Sequence, residues 1–437
     1  MGWAQMKQGN SIIRNAAFLA ASGIAGAFLS FLLLIVAARF LGPSGLGIYS
    51  LAMAMATTLA ILADLGLGML TTMEVARKRE SAGRYLSAAV LLRVVVGAIV
   101  FALLLAALVF FNGSQEFSVA LLALFAFASL RLIASSFKAV FRGYERMEYE
   151  ALPTILGTAV TASAGILLMS LGFGLYGLAI AFLAGGAADL ATSWLLSRKI
   201  FAWTAVKPGP AFLKGIIRKT MPFWAMGVLV SVYFSTDAMM ISVLAGKAEL
   251  GLYSAAYRLI IGPVLLMGSF SDALFPALSR HHADSAEKAK KLLKKSLKTI
   301  LALSIPLSVF LMVFAEKIIL LVYGSNFGPS TGVLLVLGLL PVPLSVNILL
   351  STALNATNRQ KENTVNLFIT VVLNIAANYA LITNMGFIGA AYAMLFSQCL
   401  FLLLSIYSLS KPRTGHKVQT GYLNNGKEQY RVYKPVI

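Results

Sequence analysis

Leu41-Gly42-Pro43-Ser44-Gly45-Leu46-Gly47-Ile48-Tyr49-Ser50 decides how this chain is read, because the chain carries a second version of it. Some 204 positions later stands Ala245-Gly246-Lys247-Ala248-Glu249-Leu250-Gly251-Leu252-Tyr253-Ser254. At that single offset Gly42 aligns with Gly246, Leu46 with Leu250, Gly47 with Gly251, Tyr49 with Tyr253 and Ser50 with Ser254. Each copy lies between two apolar runs, as the tight turn of a helical hairpin does. A further echo, Phe173-Gly174-Leu175-Tyr176-Gly177-Leu178-Ala179 against Met385-Gly386-Phe387-Ile388-Gly389-Ala390-Ala391, comes at a slightly longer offset. A repeat of about half the chain length, at matching places in two apolar halves, is the pattern of membrane proteins built from two related lobes.

The composition agrees. Of 437 residues, 59% are hydrophobic and 12% charged, and the mean hydropathy is +0.83. Soluble domains carry about 25% charged residues. A bilayer-spanning helix needs roughly 20 apolar residues, and the long continuous runs exclude the alternating strands of a barrel. The runs predict twelve helices, at about 15–38, 46–70, 85–111, 117–140, 151–171 and 175–197, then 221–244, 250–276, 297–323, 330–354, 363–384 and 387–409. The expected fold is an all-α integral membrane protein with two pseudo-symmetric six-helix lobes. Its domains are an N-terminal lobe (1–197), an inter-lobe linker (198–220), a C-terminal lobe (221–410) and a polar tail (411–437).

The net charge of +20 would suit nucleic acid if it formed a patch, but it sits in alternate loops. Thirty of the 36 Lys and Arg fall in the N-terminal segment, the alternate connections and the tail. The opposite side holds Arg39, Lys247 and Lys317, and Arg93, Arg131 and Arg258 fall inside helices. That bias excludes a nucleic-acid partner and predicts both termini in the cytoplasm of a multi-pass cell-membrane protein. Lys7 and Arg14 precede an apolar run too long for a cleaved leader, which is expected to be the first span. The single cysteine, Cys399, leaves no disulfide within the chain. The basic stretch Ser285 to Thr299, with Leu292, Leu293 and Leu297 among its lysines, reads as a determinant of orientation or as an interfacial helix on anionic lipid.

Ionisable residues at membrane depth cost several kcal/mol unless they are paired or face water, which makes each a site candidate. Asp237 lies nine residues before Gly246 and Arg258 twelve after it, so both sit at similar depth on neighbouring helices. Asp64 and Arg93 share a depth nearer the other face, and Arg131 and Asp189 lie within the fourth and sixth helices. Two readings stand for each pair: an ion pair that orients helices, or arginines that meet an anionic substrate while aspartates relay a cation. Exchanging the two side chains of a pair separates them, because only an ion pair tolerates the exchange. Asp272 lies near a helix end, within reach of water.

No enzyme constellation is present. The chain has no P-loop. His281 and His282 are adjacent in a connection and His416 is in the tail, which suits no metal site. The short outer connections hold no carboxylate pair. A non-enzymatic carrier without a bound cofactor is the expectation.

The chain resembles the Wzx-type oligosaccharide flippases of the multidrug/oligosaccharidyl-lipid/polysaccharide exporter superfamily. The resemblance rests on Arg39-Phe40-Leu41-Gly42-Pro43-Ser44-Gly45-Leu46-Gly47-Ile48-Tyr49-Ser50 with Ala63-Asp64-Leu65-Gly66-Leu67. In the second half it rests on Thr236-Asp237, Leu250 to Arg258 and Phe275-Pro276-Ala277-Leu278-Ser279-Arg280. It covers about residues 10 to 410. It implies alternating access by two six-helix bundles around a cavity, and a polyprenyl-(pyro)phosphate-linked oligosaccharide as cargo for cell-surface polysaccharide. It also implies glycosyltransferases or a polysaccharide polymerase as partners and a monomer in the lipid bilayer, and it leaves open whether a Na⁺ or H⁺ gradient drives transport. The alternative within the superfamily is a cation-coupled drug exporter. If the stretch from Ser285 only sets orientation, neutralising four of its lysines leaves transport by purified, reconstituted protein unchanged.

Overall fold

The computed structural model describes residues 2–110, 114–200 and 208–411. Residues 201–207 of the expected linker and the expected tail after Lys411, with His416, lie outside the described residues, as do the side chains of Lys7, Arg14 and Asp272. The described residues form helices and turns with no strand. In chain order the helices are α1 (Gly2–Asp64), α2 (Leu67–Arg77), α3 (Ala82–Phe110), α4 (Gln115–Gly143), α5 (Glu148–Ser170), α6 (Gly174–Ile200) and α7 (Pro210–Leu244). There follow α8 (Lys247–Asp284), α9 (Ala286–Val313), α10 (Ala315–Tyr323), α11 (Ser330–Leu337), α12 (Pro341–Ala356), α13 (Gln360–Met385) and α14 (Phe387–Ser410).

Among the described residues, ten helices are long and apolar enough to cross a membrane, or eleven if α11 and α12, bent by 45°, make one span. One of them, Ala21–Asp64, is 44 residues long. At 1.5 Å per residue it would measure about twice the hydrocarbon thickness. It is broken at Gly42 (φ 64°, ψ −176°), and Pro43 follows as the first residue of the next helical stretch. Counted as two, and with α11 and α12 taken as one span, this segment brings the spans among the described residues to the expected twelve. Gly246, the partner of Gly42 in the repeat, also has positive φ (117°) and separates α7 from α8. Both turns need a residue without a Cβ penalty in that region.

The two copies of the repeat meet. A Cβ on Gly47 would fall 1.7 Å from the carbonyl oxygen of Lys247, and one on Gly251 would fall 1.8 Å from that of Pro43. Lys247 and Pro43 each stand four residues before the glycine of their own copy, so the contact is reciprocal. Other close approaches follow the same rule of small residues at helix interfaces. On α5 and α6, a Cβ on Gly185 would meet Thr161 Oγ1 at 1.7 Å, and one on Gly157 would meet Asp189 Cβ at 2.8 Å.

The chain packs as two compact units, Met1–Arg258 with Ile319–Ser330 and Ile382–Phe387, and Leu259–Ile318 with Thr331–Leu381 and Ile388–Ile437. In the first, Val75, Leu86, Phe137, Val140 and Phe141 form a core. In the second, Leu278, Leu293, Ile300, Leu349, Leu350 and Leu354 do so. Polar groups of α13 are held inside the second unit. Asn366 Nδ2 donates to Ser408 Oγ at 2.9 Å, and Asn374 Nδ2 to Ser397 Oγ at 3.0 Å. Arg359 donates to the carbonyls of Ser408 and Lys411 at the end of α14.

Three expectations change. The expected ninth helix (297–323) is interrupted at Phe314, between α9 and α10. The expected tenth (330–354) bends where Pro341, which lacks a backbone donor, opens α12. The expected connection 277–296 is helical: α8 runs to Asp284 and α9 starts at Ala286. Ala289, Leu293, Ser296 and Ile300, spaced three or four apart, are buried, while Lys288, Lys290, Lys291, Lys294, Lys295 and Lys298 are exposed. The basic stretch is thus the first half of a membrane helix.

Gly47→Ala and Gly251→Ala are each expected to destabilise the protein by about 1–3 kcal/mol, since backbone must move to admit the methyl group. Gly23→Ala, with nothing within 4 Å of its Cβ position, is the control. Thermal melting of the detergent-solubilised protein, read by size exclusion, checks this.

Candidate functional site

Asp64 closes α1, and the helix is broken at Leu65 (φ 51°) and Gly66 (φ 66°) before α2. Gly66 is pressed against α7, its Cβ position 3.1 Å from Phe223 Cβ, and Trp224 Nε1 donates to the carbonyl of Ile61 at 3.1 Å. This packing fixes the Asp64 carboxylate where Arg93 Nη2 of α3 reaches it in an ion pair. Arg93 is 3% exposed. Its Nη1 donates to Ser136 Oγ at 2.6 Å and to Leu132 O at 2.8 Å, both on α4. A guanidinium bound on three sides is held as part of the helix packing.

Arg131 and Asp189 also meet, but the closer partner of Asp189 is one that the sequence did not single out. Lys138 Nζ lies 2.7 Å from Asp189 Oδ1 and donates to Thr154 Oγ1 at 2.9 Å. Arg131 Nε stands further off, 3.6 Å from Oδ2. Asp189 is 2% exposed and Lys138 6%, whereas the Arg131 side chain is 47% exposed and lies over the Phe127 ring at 5.7 Å. The sequence count assigns Lys138 to the basic segment after the fourth helix; α4 runs past it to Gly143. Its position seven residues after Arg131, on the same helix face, was the available signal. Nearby, Arg142 Nη1 pairs with Glu150 Oε1 at 2.6 Å.

Asp237 and Arg258 behave differently. Asp237, buried on α7, accepts a hydrogen bond from the hydroxyl of Tyr253 at 2.7 Å. Arg258 is half-buried on α8, and among the described residues its side chain enters no ion pair. It lies within electrostatic reach of Tyr49 of α1, Tyr257 of α8 and Tyr323 of α10. Tyr323 is 2% exposed, and its hydroxyl has no hydrogen-bond partner among the described residues. A cation within electrostatic reach of a spare buried donor has the chemistry of an anion site.

The sequence model of the family described as "polysaccharide biosynthesis protein" matches residues 12–282, more than half of the chain. The chain belongs to that family. A second family model, MatE, matches residues 222–380. The chain is 28% identical over 410 residues to the probable low-salt glycan biosynthesis flippase Agl15 of Haloferax volcanii, covering 91% of this chain and 84% of that protein. It is 23% identical over 413 residues to the capsular polysaccharide biosynthesis protein CapF of Staphylococcus aureus, covering 91% of this chain and 98% of that one. Among solved structures it is similar in fold to the lipid II flippase MurJ in an inward closed conformation. The TM-score is 0.73 at 17% identity, over 91% of this chain and 88% of that one.

Removing one partner of a buried pair leaves a stranded charge and costs about 3–5 kcal/mol. Arg93→Met and Lys138→Met are therefore expected to lower thermal stability sharply. Lys138→Met combined with Asp189→Leu is expected to recover part of the loss, measured by the same melting assay.

Proposed function

We propose that this member of the polysaccharide biosynthesis family is a flippase. It moves a polyprenyl-(pyro)phosphate-linked oligosaccharide from the cytoplasmic to the outer leaflet, for cell-surface glycan assembly. The observation that carries the reading is Arg258, a membrane-depth guanidinium with no carboxylate partner among the described residues, within electrostatic reach of the spare hydroxyl of Tyr323. Such a pair can hold a phosphate through charge-assisted hydrogen bonds. The flippase name carried by a relative over most of its length supports it.

On this reading the halves 1–197 and 221–410 act as two lobes that alternate in access, with the termini and basic connections in the cytoplasm. Arg131, half-exposed over Phe127, is a second cavity group. Asp64, Arg93 and Asp189 shape the cavity wall from behind, and Asp237 with Tyr253 lies on the path of a coupling Na⁺ or H⁺. The chain acts as a monomeric carrier and catalyses no covalent step; glycosyltransferases supply its cargo and a polymerase or ligase consumes it. The MatE match supports a second reading, a cation-coupled exporter of small amphiphiles.

The test is a labelled polyprenyl-diphosphate oligosaccharide placed in one leaflet of proteoliposomes, with and without a Na⁺ or H⁺ gradient. Protein-dependent appearance in the other leaflet is expected. Arg258→Ala should slow it by about tenfold or more while leaving the folded yield intact. Exchanging Asp237 and Arg258 should not restore it. Efflux of small cationic dyes without glycolipid movement would select the second reading.

A further inference from the structure

The sequence leaves three cations on the side opposite its basic connections, Arg39, Lys247 and Lys317, and the transport reading makes no use of them. Two of the three reach across the repeat. Arg39 lies on α1 just before the break at Gly42. It donates through Nε to Val322 O at 2.9 Å and through Nη2 to Leu321 O at 2.6 Å. Those carbonyls belong to the last turn of α10, which ends at Tyr323 before Gly324 (φ 92°). Carbonyls of a last turn have no partner in their own helix, and the helix dipole there favours a cation. A guanidinium from the first half thus caps a helix of the second.

Lys247 answers in the other direction. As the first residue of α8 it extends to the start of α4, with Nζ 3.2 Å from Ser114 Oγ and 5.6 Å from the centre of the Phe117 ring. The paired glycine turns lie beside it, with the Cβ position of Gly47 closed off by Lys247 O itself. Ser330 Oγ donates to Leu252 O at 2.8 Å. Lys317, in contrast, lies 6.0 Å from the ring of Phe314, three residues away. The cross-half contacts of Arg39, Lys247 and the paired glycines gather near the repeated turns, and the Ser330 bond to Leu252 joins two elements of the second half beside them.

The glycine contact and the side-chain contacts do different work. Backbone in van der Waals contact sets how near the turns can come, but it has little directional hold. Arg39 and Lys247 supply directional bonds, and Arg39 is exposed, so water can replace its partners at modest cost. Such bonds hold a closed end without locking it. We propose that Arg39 and Lys247 are reciprocal latches that keep the turn end of the carrier closed, and that their release sets how often that end opens. The inference rests on reading the chain as an alternating-access carrier.

The experiment measures opening without cargo. In a Cys399→Ser background, spin labels at Ser44→Cys and Asn326→Cys, both exposed, report the distance across the turn end by pulsed electron spin resonance in lipid nanodiscs. The parent is expected to show one dominant short distance. Arg39→Ala should raise the ratio of long to short distances about tenfold. Arg39→Lys, which keeps the charge but cannot fork to two carbonyls, should fall between, and Lys247→Met should shift the ratio in the same direction. Arg39→Gln takes the place of Arg39→Ala if the latter does not fold. Unchanged distances in both the Arg39 and Lys247 variants would overturn the proposal. Altered distances in a protein that moves no glycolipid would sustain the latches and remove the flippase reading instead.

Discussion

A bilayer offers no partner to a charged or polar group, so the protein must supply one or line a wet space. Much of the internal arrangement follows from that constraint. Asp64 with Arg93, and Asp189 with Lys138, are matched inside the first unit. Arg93 is further secured by a hydroxyl and a carbonyl of α4. In the second unit, asparagines of α13 are answered by serines of α14. These matched groups fix rotation and register of neighbouring helices, which apolar side chains in lipid do poorly. Arg258 stands apart: among the described residues its side chain enters no ion pair, whereas Arg93 is held on three sides.

Close packing of small residues makes the matching possible. Gly157 and Gly185 bring α5 and α6 near enough for backbone to touch side chain, and Asp189 is one turn beyond Gly185 on the same helix. Lys138 then reaches Asp189 across the α4–α6 contact while its ammonium keeps Thr154 of α5 as a second acceptor. Bulkier residues at the two glycines would separate the helices and strand the charges. Helix spacing and electrostatics are one problem in this part of the molecule.

The spans were legible in the sequence because bilayer thickness sets a length rule, and the turn glycines because the chain carries them twice. The residues at depth were legible for the same reason, since an Asp or Arg within an apolar run is conspicuous. Which charges meet was less so. Depth alone put Asp64 beside Arg93 and also Asp237 beside Arg258, but the rotation of each helix about its axis depends on packing by distant residues. Asp237 is turned to Tyr253. Lys138 was hidden by its place near a helix end, among cations that the charge bias assigns to a connection. The interruption at Phe314 has no proline or glycine at that residue to announce it. The expected connection 277–296 was drawn from its polar composition, whereas its buried positions at helical spacing place it within α8 and α9.

The reciprocity of the glycine turns bears on where the chain came from. When Gly47 meets the residue four before Gly251, and Gly251 meets the residue four before Gly47, the contact has the geometry of an isologous interface, in which one surface pairs with its own copy about a two-fold axis. A half-length ancestor carrying a single turn could have made that contact as a homodimer. Fusion of two copies would then have freed the sequences to diverge around a fixed point of contact. The residues flanking the turns record such divergence: Tyr49 stacks against Phe182, whereas Tyr253 serves Asp237. Substitutions at Gly47 are accordingly constrained by a partner 204 positions away in the chain, and the two sites are bound to evolve together.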